Sequence, residues 1–161
     1  MVGNLEMKSK LSSTEFRNRM SKNLKNGHIK LRPFTILTGF GGASKLFYGN
    51  FDDTTFHLKF NSFQPKSYVI KGDYKSKNNT LYISYSIAPN SKYYLIMNAI
   101  FPIIAGILIN VLFLLNTKKS HFEEYVIVNS FVIFIVLFSR WKNKKERKNL
   151  EQKFIEIFEL F

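Results

Sequence analysis

Side chains able to do chemistry are few in this chain, and their spacing matches no reaction. The glycine cluster Gly39-Phe40-Gly41-Gly42-Ala43-Ser44-Lys45 has backbone amides that could approach an anion closely. A phosphate loop, however, needs a glycine directly before its lysine and a hydroxyl residue after it, and Lys45 has Ser44 before it and Leu46 after it. Ser44 also stands where a dinucleotide fingerprint needs its third glycine. The cluster therefore reads as a flexible loop or strand kink, with an anion contact through Lys45 as the alternative. His28, His57 and His121 lie far apart and none has a helical i,i+4 partner, so no metal site is expected. His121 beside Glu123 and Glu124 reads as a solvated loop. With no cysteine there is no thiolate nucleophile, disulfide framework or cysteine-held metal. Asp52-Asp53 fits turn chemistry, no nucleophile elbow occurs, and Asn78-Asn79-Thr80 is a glycosylation sequon only by pattern. No acid, base, nucleophile or metal set can be assembled, so the chain is expected to be no enzyme and to need no cofactor.

Polar residues with regular spacing lie elsewhere, inside runs that carry no charge. No Asp, Glu, Lys or Arg occurs between Lys92 and Lys118, or between Glu124 and Arg140. Within the first run Asn98, Pro102, Gly106 and Asn110 recur every four residues, a stripe expected to face protein rather than lipid. Asn129 and Ser130 are the corresponding polar pair in the second run. Antiparallel packing of the two runs would put Asn110 and Asn129 at similar depth, where they could share a hydrogen bond. Packing between helices accounts for the stripe, and a pore or substrate path is the alternative. The absence of ionisable residues removes the usual signature of a proton relay.

These runs are predicted to be membrane-spanning helices. Tyr93–Leu115 gives 23 residues, matching the roughly 30 Å hydrocarbon core at about 1.5 Å per residue. The second span, 125–141, has a shorter apolar stretch, Tyr125–Ser139, completed by Arg140 snorkelling and Trp141 at the interface. The intervening loop, 116–124, is too short for anything but a hairpin, so both flanks lie on one side. Residues 1–92 carry 15 Lys/Arg against five Asp/Glu, and the tail from Arg140 carries seven against four. By the positive-inside rule both termini are expected to be cytoplasmic, in a multi-pass protein of the cell (inner) membrane. No secretory signal segment is expected, since residues 1–31 lack an apolar core.

Residues 1–92 are expected to form a small basic α+β domain, one helix packed on an antiparallel β meander. Leu5, Met7, Ser9 and Leu11 alternate with Glu6, Lys8 and Lys10, which predicts a first strand. Ser12 and Glu15 have capping-box spacing and Leu11 with Phe16 fits a hydrophobic staple. Phe16, Met20 and Leu24 give an apolar helix face that Asn26-Gly27 should end. Ile29 and Leu31 could add a short strand before Pro33. Leu46–Phe51, Thr55–Phe60, Ser67–Tyr74 and Thr80–Ile87 are predicted strands, joined by turns at Asp52-Asp53, Ser62–Pro65 and Lys77–Asn79.

The tail, 142–161, reads as a basic amphipathic cytoplasmic helix continuing the second span. Leu150, Phe154, Ile157, Phe158 and Phe161 form its docking face, for the β domain, the bilayer interface or a partner. The excess of ten positive charges on residues 1–92 predicts a domain held near anionic lipid headgroups, with a discrete anionic ligand as the alternative. Candidate anion or headgroup contacts are Lys45, Lys59, Lys71, Lys142, Lys144, Lys145, Arg147 and Lys148. Nucleic acid is disfavoured, because the strand aromatics fall mostly on the core face. The expected function is a non-enzymatic membrane-anchored interaction module: an accessory subunit, regulator or immunity-type protein, partnered by another membrane protein or its own copies. The alternative is a ligand-gated membrane effector whose basic domain binds an anionic signal and whose hairpins oligomerise.

Overall fold

Alternation of apolar and polar residues, interrupted by turn-formers, builds a six-stranded sheet, and the fold is α+β with three helices among the described residues. The computed structural model describes residues 5–27, 45–61, 67–78, 80–116 and 122–161. In chain order the elements are β1 (Leu5–Ser9), α1 (Ser13–Asn23), β2 (Leu24–Asn26), β3 (Phe47–Phe51), β4 (Thr55–Phe60), β5 (Tyr68–Lys77), β6 (Thr80–Pro89), α2 (Lys92–Asn116) and α3 (Phe122–Phe158). They divide into two compact units, residues 1–91 with 146–161, and residues 92–145.

In the first unit the sheet order is β1-β6-β5-β4-β3-β2. β3 to β6 form the expected meander, and β1 pairs antiparallel with β6. The purely antiparallel expectation needs correction at the other edge, where β2 runs parallel to β3. α1 also ends earlier than Asn26-Gly27: it stops at Asn23, and Leu24–Asn26 straightens into β2. Leu24 is still buried, but as the helix C-cap in extended backbone. Lys45 accounts for this early stop. Its ammonium donates to the Ser21 carbonyl at 2.8 Å and to the Leu24 carbonyl at 3.1 Å, satisfying acceptors that a longer helix would have paired internally.

The N-terminus of α1 follows its sequence signature. Ser12 caps it, its hydroxyl accepting from the Glu15 amide at 3.2 Å, while Leu11 and Phe16 are both buried. At the β3–β4 turn Asp52 accepts from the Thr54 and Thr55 amides at 2.9 and 2.7 Å. These bonds, the Thr54 amide first, hold its carboxyl down to about 2.

One face of the sheet carries the core. Phe47, Phe56, Leu58, Ile70, Tyr74, Leu81, Ile83, Tyr85 and Ile87 meet Phe16, Met20 and Leu24, together with Leu150, Phe154, Phe158 and Leu160 from the C-terminal segment. Phe154 is fully buried, its ring 5.3 Å from Phe56, 5.2 Å from Tyr85 and 5.0 Å from Phe158. Gly72 lies under this layer: a β-carbon there would sit 2.6 Å from the Phe56 ring and 2.3 Å from the Ser84 carbonyl oxygen.

α3 ends in a Schellman turn. Glu159 adopts φ 49° and the Leu160 amide donates to the Ile155 carbonyl at 3.1 Å. The reversal lays residues 159–161 along β1, with Lys8 and Phe161 exchanging both backbone bonds at 3.1 and 2.9 Å. Part of that sheet edge is thereby closed by the chain itself. Arg19 secures the turn, donating to the Ile157 carbonyl at 2.9 Å and the Glu159 carboxylate at 2.8 Å. The Ser9 hydroxyl, buried beneath, donates to the Phe158 carbonyl at 2.7 Å.

Candidate functional site

The second unit consists of α2 and the first part of α3, both long and apolar enough to cross a membrane by length and composition. Their contacts run in opposite chain directions: Phe113 meets Tyr125 with ring centroids 5.7 Å apart, Asn110 meets Asn129, and Gly106 meets Val132. The helices are therefore an antiparallel pair.

At the centre of the contact is a reciprocal amide pair. Asn110 Nδ2 donates to Asn129 Oδ1 at 3.1 Å, and Asn129 Nδ2 donates to Asn110 Oδ1 at 3.0 Å. Each amide uses its other hydrogen on its own helix, Asn110 to the Gly106 carbonyl and Asn129 to the Tyr125 carbonyl, both at 2.8 Å. All four N–H groups are thus satisfied without water, which an apolar surrounding demands. One turn away Gly106 is buried, and a β-carbon on it would lie 2.8 Å from Val132 Cγ2. The absence of a side chain lets the helix backbones close to the distance the amide pair needs.

The other residues of the expected interface are placed differently. Pro102 sits half-buried inside α2, where it does not end the helix, and the Asn98 side chain lies outside the described residues. Ser130 is exposed, because a step of about 100° from Asn129 turns it off the contact face. Tyr125, which the sequence did not single out, carries a buried hydroxyl with no hydrogen-bond partner among the described residues.

The expected cationic contacts fall into separate groups. Lys45 is occupied by α1, so it joins no anion cluster. Lys59 and Lys71 lie on the non-core face of the sheet and flank His57, whose register partner is Lys71. The Lys59 ammonium stands 5.2 Å from the Tyr48 ring centroid, and burial lowers its pKa. The His57 imidazole is pushed down too, by burial first and then by Lys71 and Lys59. Lys142, Lys144, Lys145, Arg147 and Lys148 are all exposed along α3 with no ion pair among the described residues, Lys145 standing 4.9 Å from the Trp141 ring centroid. Glu146, the one carboxylate among them, is withdrawn: it accepts from the buried Ser67 amide at 2.8 Å.

The docking face of the tail is resolved by burial. Leu150, Phe154 and Phe158 enter the core of the first unit and Ile157 packs beside them. Phe161 is a correction: it is 62% exposed, since the turn at Glu159 takes it out of helical register and only its backbone docks. The early part of the glycine cluster (39–44), His28, His121, Ile29 and Leu31 lie outside the described residues. Among the described residues no three His, Cys, Asp or Glu side chains converge to hold a metal.

Sequence reasoning missed Arg19, Ser9 and Glu146, whose partners are more than 75 residues away. Only the fold brings them together. Comparison with protein-family models, curated proteins and solved structures finds no match for the chain.

Proposed function

We propose that this chain is a non-enzymatic membrane-anchored interaction module, an accessory subunit, regulator or immunity-type protein of a membrane assembly. In this reading α2 and residues 125–141 of α3 cross the cell (inner) membrane as a hairpin, the domain 1–92 and the tail 142–161 are cytoplasmic, and the connection between the helices is external. The observation that carries it is the distribution of exposed apolar side chains. Among the described residues all the large exposed ones except Leu5, Leu46, Tyr82 and Phe161 lie on α2 or the first part of α3, on every side of the pair. A water-facing surface of that extent is not sustained by a soluble protein, whereas a bilayer covers it. The internally satisfied asparagine pair fits the same environment. The exposed cations from Arg140 to Lys148 would meet anionic headgroups at the cytoplasmic boundary, each contributing about 1 kcal/mol. The β domain then presents its surface to a partner at the membrane.

The absence of native cysteine makes the test direct. Single cysteines at Ser76 and Ser120, with a membrane-impermeant maleimide on intact cells, should label Ser120→Cys and leave Ser76→Cys unlabelled until lysis, and the protein should resist alkaline carbonate extraction. Release by carbonate, or labelling of Ser76→Cys in intact cells, overturns the topology. Native mass spectrometry of protein gently extracted from its host membrane, without overexpression, tests the module: a stoichiometric second protein supports it, and a strictly monomeric chain refutes it.

A further inference from the structure

The sheet has a second face, and its register gathers cations there that form no ion pair among the described residues. Across β2, β3 and β4 one row contains Lys25, Tyr48 and Lys59; across β3, β4 and β5 the adjacent row contains Asn50, His57 and Lys71. Strand alternation places these six opposite the buried Phe47, Phe56, Leu58 and Ile70. The nearest carboxylate in register on this face is Asp73, one row further along opposite Thr55, and it forms no ion pair with Lys71 among the described residues.

Two features of this face are unfavourable as they stand. Lys59 is half-buried, yet among the described residues its one charge-related contact is with the Tyr48 ring. Beside it His57 Nε2 is buried with no hydrogen-bond partner among the described residues. Cations drawn out of water ordinarily have an anionic partner, and buried ring nitrogens ordinarily have a hydrogen bond. One species relieves both: an anion with several acceptor oxygens and more than one negative charge. A carboxylate offers two oxygens in one plane, whereas a phosphate group offers three or four in a tetrahedron that can address donors on two strands. Lysines are well suited to it as adjustable point charges, and their four-carbon stems can swing to admit it.

We infer that this face binds a phosphate-bearing anion between Lys59, His57 and Lys71, with Lys25 at its edge. Tyr48 and Val69, the latter fully buried on this face, supply apolar walls. The chemistry is shared by a lipid phosphate headgroup and a free phosphate compound, and the experiment separates them.

The full-length protein, carbon-13-labelled at histidine, is placed in neutral-headgroup micelles, and the His57 resonance is identified by its loss in His57→Gln. Titration with inorganic phosphate should move that resonance saturably and raise the imidazole pKa, with chloride at equal ionic strength leaving both unchanged. Lys59→Met and Lys71→Met should each weaken the response about tenfold. These residues lie away from the core, and an unchanged high-pH titration of Tyr85 shows that each variant is folded. Nanodiscs of phosphatidylcholine with and without phosphatidylglycerol form the second arm. A shift produced by phosphatidylglycerol without added phosphate assigns the site to a headgroup, and one produced only by phosphate assigns it to a soluble ligand. No response in either arm, an equal response to chloride, or an undiminished response in both methionine variants overturns the inference. The micelle arm does not depend on membrane insertion, so its failure leaves the proposed function standing, and failure of the extraction test leaves this inference standing.

Discussion

Replacing Asn110 by leucine removes both interhelical hydrogen bonds of the amide pair and leaves Asn129 with an unmet oxygen and one unmet N–H. Interhelical bonds of this kind contribute about 0.6 to 1.7 kcal/mol each in a membrane environment, so the single substitution should cost about 1 to 3 kcal/mol. Asn129→Leu should cost the same, because the pair is reciprocal. The double substitution leaves no amide stranded and should cost less than the two singles together, giving a coupling of about 1 to 3 kcal/mol. Ser130→Leu, exposed on the neighbouring position, is the control and should stay within about 0.5 kcal/mol of the parent. The assay is equilibrium unfolding by SDS in mixed micelles, followed through the fluorescence of Trp141. That residue is the sole tryptophan, belongs to the same unit, and has its ring 5.7 Å from that of Phe138. Additive single effects, with a coupling below about 0.5 kcal/mol, would refute the reasoning, since independent side chains do not stabilise one another.

Further consequences follow from the same geometry. Phe154→Ala should destabilise the β domain by about 3 to 5 kcal/mol in chemical denaturation, because a fully buried ring among Phe56, Tyr85 and Phe158 is lost; a cost below about 1 kcal/mol would mean that the tail does not fill that core. Gly106→Ala should loosen the hairpin in the SDS assay, and adding Val132→Ala should restore part of the loss by clearing the atoms that crowd the new β-carbon; the absence of any rescue would place the strain elsewhere. Tyr85 is raised to about 12, by burial first and then by Glu151, so ultraviolet titration should show one tyrosine ionising about two units late. Its contribution to stability is complete below about pH 10, the unfolded value, and is lost as pH rises through 12. Asp52 behaves oppositely: its depressed pKa makes the turn contribution present above about pH 4 and lost as pH falls toward 2, which amide exchange at Thr54 and Thr55 would report.

Local patterns proved sufficient wherever the deciding partner was close in sequence or repeated with a fixed period. Ser12 and Glu15 mark the start of α1, Asp52 marks its turn, and alternation identifies β4 and the inward Leu81, Ile83, Tyr85 and Ile87, because capping, turn formation and strand pleat are settled within a few residues. The two apolar helices were legible for the same reason. The meeting of Asn110 with Asn129 followed as well, since a short connection leaves an antiparallel pair little choice of depth.

What the chain alone left open depended on partners brought together by the fold. Leu24–Asn26 could continue a helix, and it becomes a parallel strand because β3 offers an edge and Lys45 takes the helix-end carbonyls. The tail was amphipathic in any setting, and lipid, a partner or the sheet could each have covered it. The sheet covers it because the exposed aromatic face of the meander needs a second layer, and the Schellman turn then spends Phe161 on the edge of β1 rather than in the core. Lys59 and Lys71 were already candidate anion contacts in the sequence, but register alone sets them on either side of His57, on a face where no ion pair answers them among the described residues. Periodicity is a property of a segment, whereas register, docking and burial of charge belong to the assembled chain, and those three decide where this protein has a surface to use.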